Sequence, residues 1–274
     1  MSRYSCLIAV YYKDNPAYLE LSLNSMIEQT ICPDEIVLVE DGPLCDDLYR
    51  VIERYKINYP DLLQVISLDQ NRGLGNALNC GIKHCRNELV ARMDSDDISL
   101  PHRCEKQLIE FTKNPSLTIV GTQIYEFIDT ADNIVCSRAV PVTYDGILKF
   151  SRRRSPFNHP TVMYKKSKVI ECGGYCTYNR KEDLDLFIRM LRSGYYAINL
   201  PEVLLYYRSS IDNLKRRKTW KNCSEYINIM YKFYRQGHLG CLDMLYVLFG
   251  QLFIFLAPKK LLKPLSNSLL RKKV

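Results

Sequence analysis

The feature that most limits how this chain can fold is a regular alternation of apolar runs and amphipathic segments in its first hundred residues. Strands alternating with helices form right-handed βαβ units, whose strands lie parallel in one sheet. The sequence therefore predicts an α/β domain with a mostly parallel sheet and helices on both of its faces. The predicted strands are Cys6–Tyr12, Glu35–Glu40, Leu63–Leu68 and Glu88–Met93, and the predicted helices are Pro16–Gln29, Cys45–Lys56 and Gly73–His84.

Polar side chains follow each of the four predicted strands. They occupy the segments Tyr11–Asp14, Glu40–Gly42, Asp69–Arg72 and Asp94–Asp97. Ligands of parallel α/β sheets bind beyond the carboxyl ends of the strands, where such side chains meet. We therefore expect one ligand crevice at this edge of the sheet.

The segment ARMDSDDISL, Ala91–Leu100, places three carboxylates within four positions at the fourth strand end. Carboxylates this close disfavour one another's charged form unless a cation lies among them. Asp94 and Asp96 form a D-x-D pair around Ser95, and such oxygens suit Mg²⁺ or Mn²⁺, which commonly bridges to substrate phosphates. The alternative is a loop in which Asp97 or Ser99 caps the next helix. An EF-hand is a poor match, because the calcium-loop spacing does not follow.

Two common phosphate-binding motifs are excluded. In NRGLGNALNCG, Gly73 and Gly75 match the first two glycines of a dinucleotide fingerprint, but Leu78 occupies the third position. The segment also lies far from the first strand, where that fingerprint belongs. The P-loop pattern G-x-x-x-x-G-K-[ST] is absent from the sequence.

The middle of the chain, residues 101–214, is predicted to be mixed. A helix near Arg103–Asn114, a strand in TIVGTQIYEF, a turn at DTADN, a strand in HPTVMY and a helix in EDLDLFIRMLRSG are expected. Glu182 and Asp183 at the start of that last helix suit its dipole, and one of them could instead serve as a general base. VEDG is compatible with a simple turn or with a ligand-binding one. His159 is a secondary candidate, since a lone histidine is more often structural.

The basic charge is concentrated in the tail. Residues 215–274 contain 13 Lys and Arg and 2 Asp and Glu, so their net charge is +11, whereas the whole chain is at +8. The remaining −3 on residues 1–214 argues against a nucleic-acid partner for the main domain. We expect a catalytic domain at 1–214, with halves 1–100 and 101–214, and a basic amphipathic helical tail at 215–274.

The tail has an apolar core, Met244–Ala257, followed at once by lysines. That core is shorter than the roughly 20 residues that span a bilayer. A basic apolar helix of this kind typically lies in the interface of an anionic membrane. The alternative is a C-terminal helix that packs on the core. The chain start shows no convincing signal peptide, and eleven scattered cysteines without a C-x-x-C pair indicate reduced thiols in a cytosolic protein.

Together these stretches resemble family 2 of the inverting nucleotide-sugar glycosyltransferases, which have the GT-A fold. The resemblance covers about residues 4–210 and rests on the first strand ending at Tyr11, then VEDG, NRGLGNALNCGI, ARMDSDD and KEDLDL, in the family's order. The segments PDEIVLVEDGPL, RMDSDDI and NHPTVMYKKS are similar to those of bacterial enzymes of O-antigen, lipopolysaccharide and capsule biosynthesis.

The resemblance implies a role for each matching position. Asp183 matches the catalytic base, and Asp96, with Asp94, matches the ligands of a bound Mn²⁺ or Mg²⁺. The positions that match nucleotide-sugar-binding residues are Tyr11, Asp41, Asn71, Arg72, Gly73, Asn79, Asp94 and Ser95. Weaker candidates for acceptor binding are His159, Glu182 and Arg208. Leu78 stands where the family often has arginine, and YYRSS lacks the histidine that often follows YR, so a histidine metal ligand is not expected there.

The implied activity is inverting, metal-dependent transfer of a hexose, glucose or galactose, from a UDP-sugar. The implied acceptor is a polyprenyl-diphosphate-linked saccharide, with a β-1,3 linkage to N-acetylglucosamine suggested. Such an enzyme would be peripheral at the cytoplasmic face of the bacterial inner membrane. Two alternatives remain: a sugar nucleotidyltransferase, although the first strand lacks a Gly-rich phosphate turn, and a non-catalytic membrane-docked module that binds sugar nucleotides.

Overall fold

A computed structural model describes residues 3–177, 181–209, 218–257 and 271–272. Its centre is one sheet in the order β10-β7-β6-β8-β4-β1-β2-β3, with β9 pairing to β6 and β5 to β9. The strands are β1 (Tyr4–Val10), β2 (Glu35–Glu40), β3 (Leu63–Ser67), β4 (Leu89–Asp94), β5 (Ile98–Ser99), β6 (Leu117–Phe127), β7 (Ile134–Arg138), β8 (Met163–Lys165), β9 (Tyr196–Arg208) and β10 (Arg271–Lys272). The helices are α1 (Pro16–Ile27), α2 (Asp46–Asn58), α3 (Leu74–His84), α4 (Arg103–Lys113), α5 (Tyr144–Ser151), α6 (Lys166–Glu171), α7 (Glu182–Arg192), α8 (Trp220–Arg235) and α9 (Cys241–Leu256).

The first hundred residues form the predicted parallel half of the sheet. Strands β4, β1, β2 and β3 lie side by side and parallel, and all four match the predicted runs closely. Successive side chains of β1 point to opposite faces: Cys6 and Ile8 pack with α1 and α2, whereas Leu7 packs with α3. The prediction of helices on both faces is therefore confirmed.

The second half of the sheet is mixed, which corrects the prediction of a mostly parallel sheet. Strand β8 runs antiparallel between β4 and β6, and β7 is antiparallel to β6. The connection at residues 128–133 is too short for a parallel crossover, so it must form a hairpin-like turn. That turn contains the predicted DTADN segment. Of HPTVMY, only Met163–Tyr164 is strand, because His159–Thr161 form a 3₁₀ turn around Pro160, which lacks an N–H for a ladder.

Helices α8 and α9 pack against the core through α7. Their shared apolar cluster consists of Leu184, Ile188, Ile229, Met230, Phe233, Leu239 and Val247. The buried Asp185 of α7 supports this contact by accepting from Arg189 Nε at 2.6 Å and from Lys232 Nζ of α8 at 2.9 Å. Core packing, the alternative considered for the tail, therefore describes α8 and one side of α9.

The other side of α9 remains exposed and apolar. Exposed side chains there are Leu242, Leu245, Tyr246, Phe249, Phe253 and Leu256. In the parts of the chain that the structure describes, no helix is both long and apolar enough to cross a bilayer. The lysines predicted to contact a membrane at 259, 260 and 263 lie outside the described residues. All eleven cysteines carry free thiols, as expected from their spacing.

Candidate active site

Asp41 organises the loop in front of α3. Its Oδ1 accepts the Arg72 N–H at 2.7 Å, and its Oδ2 accepts the Gly73 N–H at 2.9 Å. Gly42 has a positive φ of 85°, and a Cβ there would lie 2.4 Å from the Asn71 nitrogen, so only glycine allows this close approach. The buried carboxylate thus holds the loop in place, while the predicted contact of Asp41 with a nucleotide base stays a prediction.

The loop lines a first cavity of about 510 Å³. Tyr11 and residues 71–76 form one wall, so Asn71, Arg72 and Gly73 lie together as predicted. The opposite wall includes four residues at the start of α8, namely Thr219, Lys221, Asn222 and Glu225. Sequence reasoning missed them. The sequence could have indicated a helix start here, and Thr219 Oγ1 indeed accepts the Asn222 N–H as an N-cap. No local sequence pattern, however, predicts that this helix start lies over the crevice.

Asn79 does not line the first cavity with the other predicted residues Asn71, Arg72 and Gly73. Its Nδ2 donates to the Tyr175 carbonyl at 2.7 Å and its Oδ1 accepts the Tyr175 N–H at 2.7 Å. The residue thereby ties α3 to the loop before α7, and it lines neither of the two cavities described here. Its predicted contact with the nucleotide-sugar stays a prediction.

The turn after β4 gathers three carboxylates. Oxygens of Asp94, Asp96 and Asp97 lie within 4.8 Å of one another, close enough to hold one metal ion. Asp94 also forms an ion pair with the buried Arg92. Asp97 is fully buried, and neither it nor Ser99 caps α4, which begins at Arg103, so the capping alternative is wrong. Among the described residues, its Oδ2 has no hydrogen-bond partner.

Arg208 lies behind this turn. Its backbone N–H donates to Asp97 Oδ1 at 2.8 Å, and its Nε donates to the Asp96 carbonyl at 2.8 Å. The guanidinium stacks 3.7 Å from the centre of the Tyr18 ring. These contacts make Arg208 a positioning residue for the acidic turn, and its predicted contact with the acceptor stays a prediction.

The negative charge of the carboxylates at the acidic turn exceeds the positive charge of the side chains around them. Burial, followed by the charges of Asp94 and Asp14, raises the pKa of Asp96 to about 7. Burial also raises the pKa of Asp14 to about 6, although Ser95 Oγ donates to it at 2.7 Å. The sequence predicted Asp14 only as part of the polar segment after the first strand, and its contact with Ser95 depends on the fold. Hard carboxylate oxygens, one of them an orphan, fit a divalent cation bound by Asp94 and Asp96.

A second cavity, of about 510 Å³, lies beside the acidic turn and is lined by Asp94, His159, Glu182 and Asp183. Asp183 sits in the first turn of α7 and accepts from Ser155 Oγ at 3.2 Å. Burial and then the Asp183 charge raise the pKa of Glu182 to about 7. Burial and then Arg92 lower the pKa of His159, whose Nε2 lies 3.0 Å from the Tyr175 hydroxyl. The histidine is therefore neutral near pH 7.

The two cavities share part of their walls. Leu74, Glu182 and Asn222 line both of them. The loop of α3, Asp94 of the acidic turn and the predicted base thus line one crevice at the carboxyl ends of β1, β3 and β4, as the strand-end pattern predicted. The predicted site residues Asp41, Ser95 and Asp96 line neither cavity. Arg208 and Asn79 support this crevice from behind.

Known proteins match the chain in sequence and in fold. The model of the family described as "Glycosyl transferase family 2" matches residues 5–193. An uncharacterized glycosyltransferase of Haemophilus influenzae is 40% identical over 270 residues, which cover 98% of this chain and 100% of that protein. The "UDP-Gal:alpha-D-GlcNAc-diphosphoundecaprenol beta-1,3-galactosyltransferase" of Escherichia coli is 35% identical over 258 residues, covering 93% of this chain and 92% of that protein.

A solved structure has a similar fold at low sequence identity. The mannosyltransferase PcManGT from Pyrobaculum calidifontis, in complex with GDP-Man and Mn²⁺, superposes with a TM-score of 0.66 at 18% identity. The match covers 93% of this chain and 70% of that one, and it supports a mixed α/β fold of the GT-A type. The family match over residues 5–193 and the relative at 40% identity show that the chain belongs to glycosyl transferase family 2.

Proposed function

We propose that the chain transfers a hexose from a UDP-hexose, with inversion, to the sugar of a lipid-diphosphate-linked saccharide. The observation that carries the proposal is that Asp94 and Asp183 line one cavity, which adjoins the cavity of the α3 loop through Glu182. The name of the Escherichia coli relative supports UDP-galactose as donor and a β-1,3 linkage to N-acetylglucosamine. UDP-glucose is the other donor expected from the sequence.

The donor occupies the first cavity in this proposal. Tyr11 and the Asn71–Gly73 loop bind the nucleotide, and the diphosphate points toward Asp94, which lines the adjoining second cavity, and toward Ser95, the residue after it. Asp94 and Asp96 would hold Mn²⁺ or Mg²⁺, which supplies Lewis-acid compensation for charge on the leaving diphosphate. The orphan oxygen of Asp97 and the raised pKa of Asp96 support a cation at this turn.

The acceptor occupies the second cavity, where Asp183 is the general base. Asp183 removes the proton of the acceptor hydroxyl, and that oxygen attacks the anomeric carbon from the face opposite the nucleotide. The bond from the anomeric carbon to the diphosphate oxygen breaks, UDP leaves with the electron pair, and the configuration inverts. The hydrogen bond from Ser155 orients the base carboxylate. His159 and Glu182 line the same cavity and are proposed to contact the acceptor.

We also propose that the outer side of α9 associates with the anionic cytoplasmic face of the bacterial inner membrane. The exposed apolar side chains of α9 precede a segment, residues 258–274, with six Lys and Arg and no Asp or Glu. Apolar burial and basic charge act together in such interfacial segments. Phe249→Asp should reduce co-sedimentation with anionic phospholipid vesicles. Ile57→Asp on α2 is the control, because Phe249 and Ile57 are 65% and 77% exposed.

The test of function is a panel of UDP-, GDP- and dTDP-sugars with an N-acetylglucosamine-diphosphate-lipid acceptor, in Mn²⁺, Mg²⁺ or EDTA. We expect metal-dependent turnover of one UDP-hexose, lost in Asp96→Ala. Pyrophosphate release from a nucleoside triphosphate would instead identify a sugar nucleotidyltransferase. Absence of turnover with every donor, in a folded protein with metal, would favour the non-catalytic binding module.

A further inference from the structure

The second cavity has an acidic wall, which the proposed function uses, and a basic wall, which it does not. The acidic wall holds Asp94, Glu182 and Asp183. Two cations that line the cavity have partners: Arg92 pairs with Asp94, and Lys181 donates to Asn222 Oδ1 at 3.1 Å. The basic wall holds Arg153 and Arg154, which follow α5, with Arg138 of β7 beside them. A cavity that only bound the hydroxyl of a neutral sugar would have no need for these guanidinium groups. The basic wall therefore points to an anionic part of the acceptor.

Residues of α9 hold the two adjacent arginines in place. Arg153 Nε donates to Asp243 Oδ1 at 2.5 Å, and its guanidinium lies 4.7 Å from the centre of the Tyr246 ring. Arg154 Nη2 donates to the Tyr246 hydroxyl at 3.2 Å. Within the described part of the chain, Arg154 forms no ion pair with a carboxylate. Its guanidinium is thus held in the wall of the cavity without a carboxylate partner among the described residues.

The basic pair is linked to the proposed base through Ser155. Ser155, directly after Arg154, donates its hydroxyl hydrogen to Asp183 Oδ2. Tyr226 of α8 fixes the same segment by donating to the Arg153 carbonyl at 2.8 Å. An acceptor sugar whose hydroxyl reaches Asp183 would therefore have its anomeric substituent near the arginines.

The wall beyond the arginines is apolar. Val247, Gly250 and Ile254 of α9 line the same cavity, and the far side of this helix carries the exposed apolar side chains. The proposed base, the two arginines and the apolar side of α9 thus all line the same cavity. An acceptor of the proposed class likewise joins a sugar, a diphosphate and a lipid chain within one molecule.

We propose that Arg153 and Arg154, oriented by Asp243 and Tyr246, form the subsite for the diphosphate of the lipid-linked acceptor, with α9 as its lipid-side wall. This inference rests on the proposed function. Guanidinium groups bind phosphate oxygens with paired, charge-assisted hydrogen bonds, which suits a diphosphate better than a single ammonium would.

The test compares two acceptors with the same sugar and the same alkyl chain. One is an alkyl α-diphosphate ester of N-acetylglucosamine, and the other is the alkyl N-acetyl-α-glucosaminide without phosphate. The variant is Arg154→Gln in the full chain. Arg152→Gln is the matched control, because Arg152 is exposed, adjacent in sequence and outside the lining of the cavity.

In Arg154→Gln, we expect the ratio of kcat/KM for the diphosphate acceptor to that for the alkyl glycoside to fall by about tenfold or more, as for the loss of a charged hydrogen bond. Arg154→Lys should recover part of the ratio, and Arg152→Gln should leave it unchanged. An unchanged ratio in Arg154→Gln, including an equal loss with both acceptors, would overturn the inference.

A binding measurement separates failure of the subsite from failure of the proposed function. The diphosphate acceptor is titrated calorimetrically into the unmodified chain and into Arg154→Gln, without donor. Weaker binding in the variant supports the subsite even if the unmodified chain transfers no hexose, an outcome that would contradict only the proposed reaction. Equal binding by both chains, or none by the unmodified chain, overturns the subsite.

Discussion

The first cavity, where we propose that the donor binds, and the second cavity, where we propose that the acceptor binds, have similar volumes but are built in different ways. Tyr11 after β1 and residues 71–76 after β3 line one part of the first cavity, and the start of α8 lines another. Asp41 holds the loop through two backbone N–H groups. The wall of the second cavity combines a segment after α5, the start of α7 and one side of α9. The geometry of the first cavity therefore depends on the order of strands in the sheet as well as on α8, whereas that of the second depends more on how α7 and α9 pack.

The largest expected effect comes from replacing the proposed base, Asp183, which lines the second cavity. Asp183→Asn keeps the shape of the side chain but cannot accept a proton, so kcat should fall by about 10²–10⁴-fold, the usual contribution of general-base catalysis. Calorimetric binding of UDP-hexose with metal should stay near that of the unmodified chain. Asp145→Asn is the control, because Asp145 is also in the first turn of a helix but is exposed. A kcat that survives in Asp183→Asn would refute the assignment of the base.

A smaller effect should be confined to the donor side. In Asp41→Asn, the amide NH₂ group would face one of the two backbone N–H groups, which would lose its acceptor. The other N–H would donate to a neutral amide oxygen in place of a charged carboxylate oxygen. We expect the Kd for the UDP-hexose to rise by about tenfold, because hydrogen bonds to charged groups contribute about 1.5–3 kcal/mol. The exposed Asp61→Asn serves as control. If the KM for the acceptor rose as much as the Kd for the donor, the assignment of donor and acceptor to separate cavities would be wrong.

The packing of the C-terminal helices can be weakened without touching either cavity. Lys232→Met removes one of the two cations that pair with the buried Asp185. Lys232 is 40% exposed and Arg189 remains as partner, so the free energy of unfolding should fall by only about 1 kcal/mol. Urea denaturation measures this loss. Lys149→Met, an exposed lysine of α5, should change the unfolding free energy less, and an equal change in both would argue against the ion pair.

The smallest expected effect is a pH dependence at the start of α9. Burial, followed by Arg192 and Arg152, lowers the pKa of His238 to about 4, and its Nε2 lies 2.9 Å from Ser151 Oγ. Because the unfolded chain binds this proton at about pH 6.5, the neutral imidazole stabilises the fold above that pH. Stability should therefore decrease as the pH falls from about 6.5 toward 4. His238→Gln should have a shallower decrease in its thermal midpoint, and an unchanged slope would exclude this histidine as the cause.

The sequence predicted the donor side better than the acceptor side for a physical reason. Strand and turn signals are local, so β1 to β4 and the carboxylates after β4 could be located from short segments. Asn79 and Arg208 matched a family pattern, yet their main contacts are with Tyr175 and Asp97, which are 96 and 111 residues away. The part played by α8 and α9 in the cavities likewise depends on packing between distant segments. No local periodicity encodes such partners.

The wall that the two cavities share has a thermodynamic consequence. A ligand that moves Leu74, Glu182 or Asn222 in one cavity changes the surface offered to the ligand of the other. Donor and acceptor affinities are then linked, and the factor by which one substrate tightens the other must be the same in both directions. Since Glu182 has a pKa of about 7, a proton takes part in this linkage. Assembly of the ternary complex is therefore expected to exchange protons with the buffer near neutral pH.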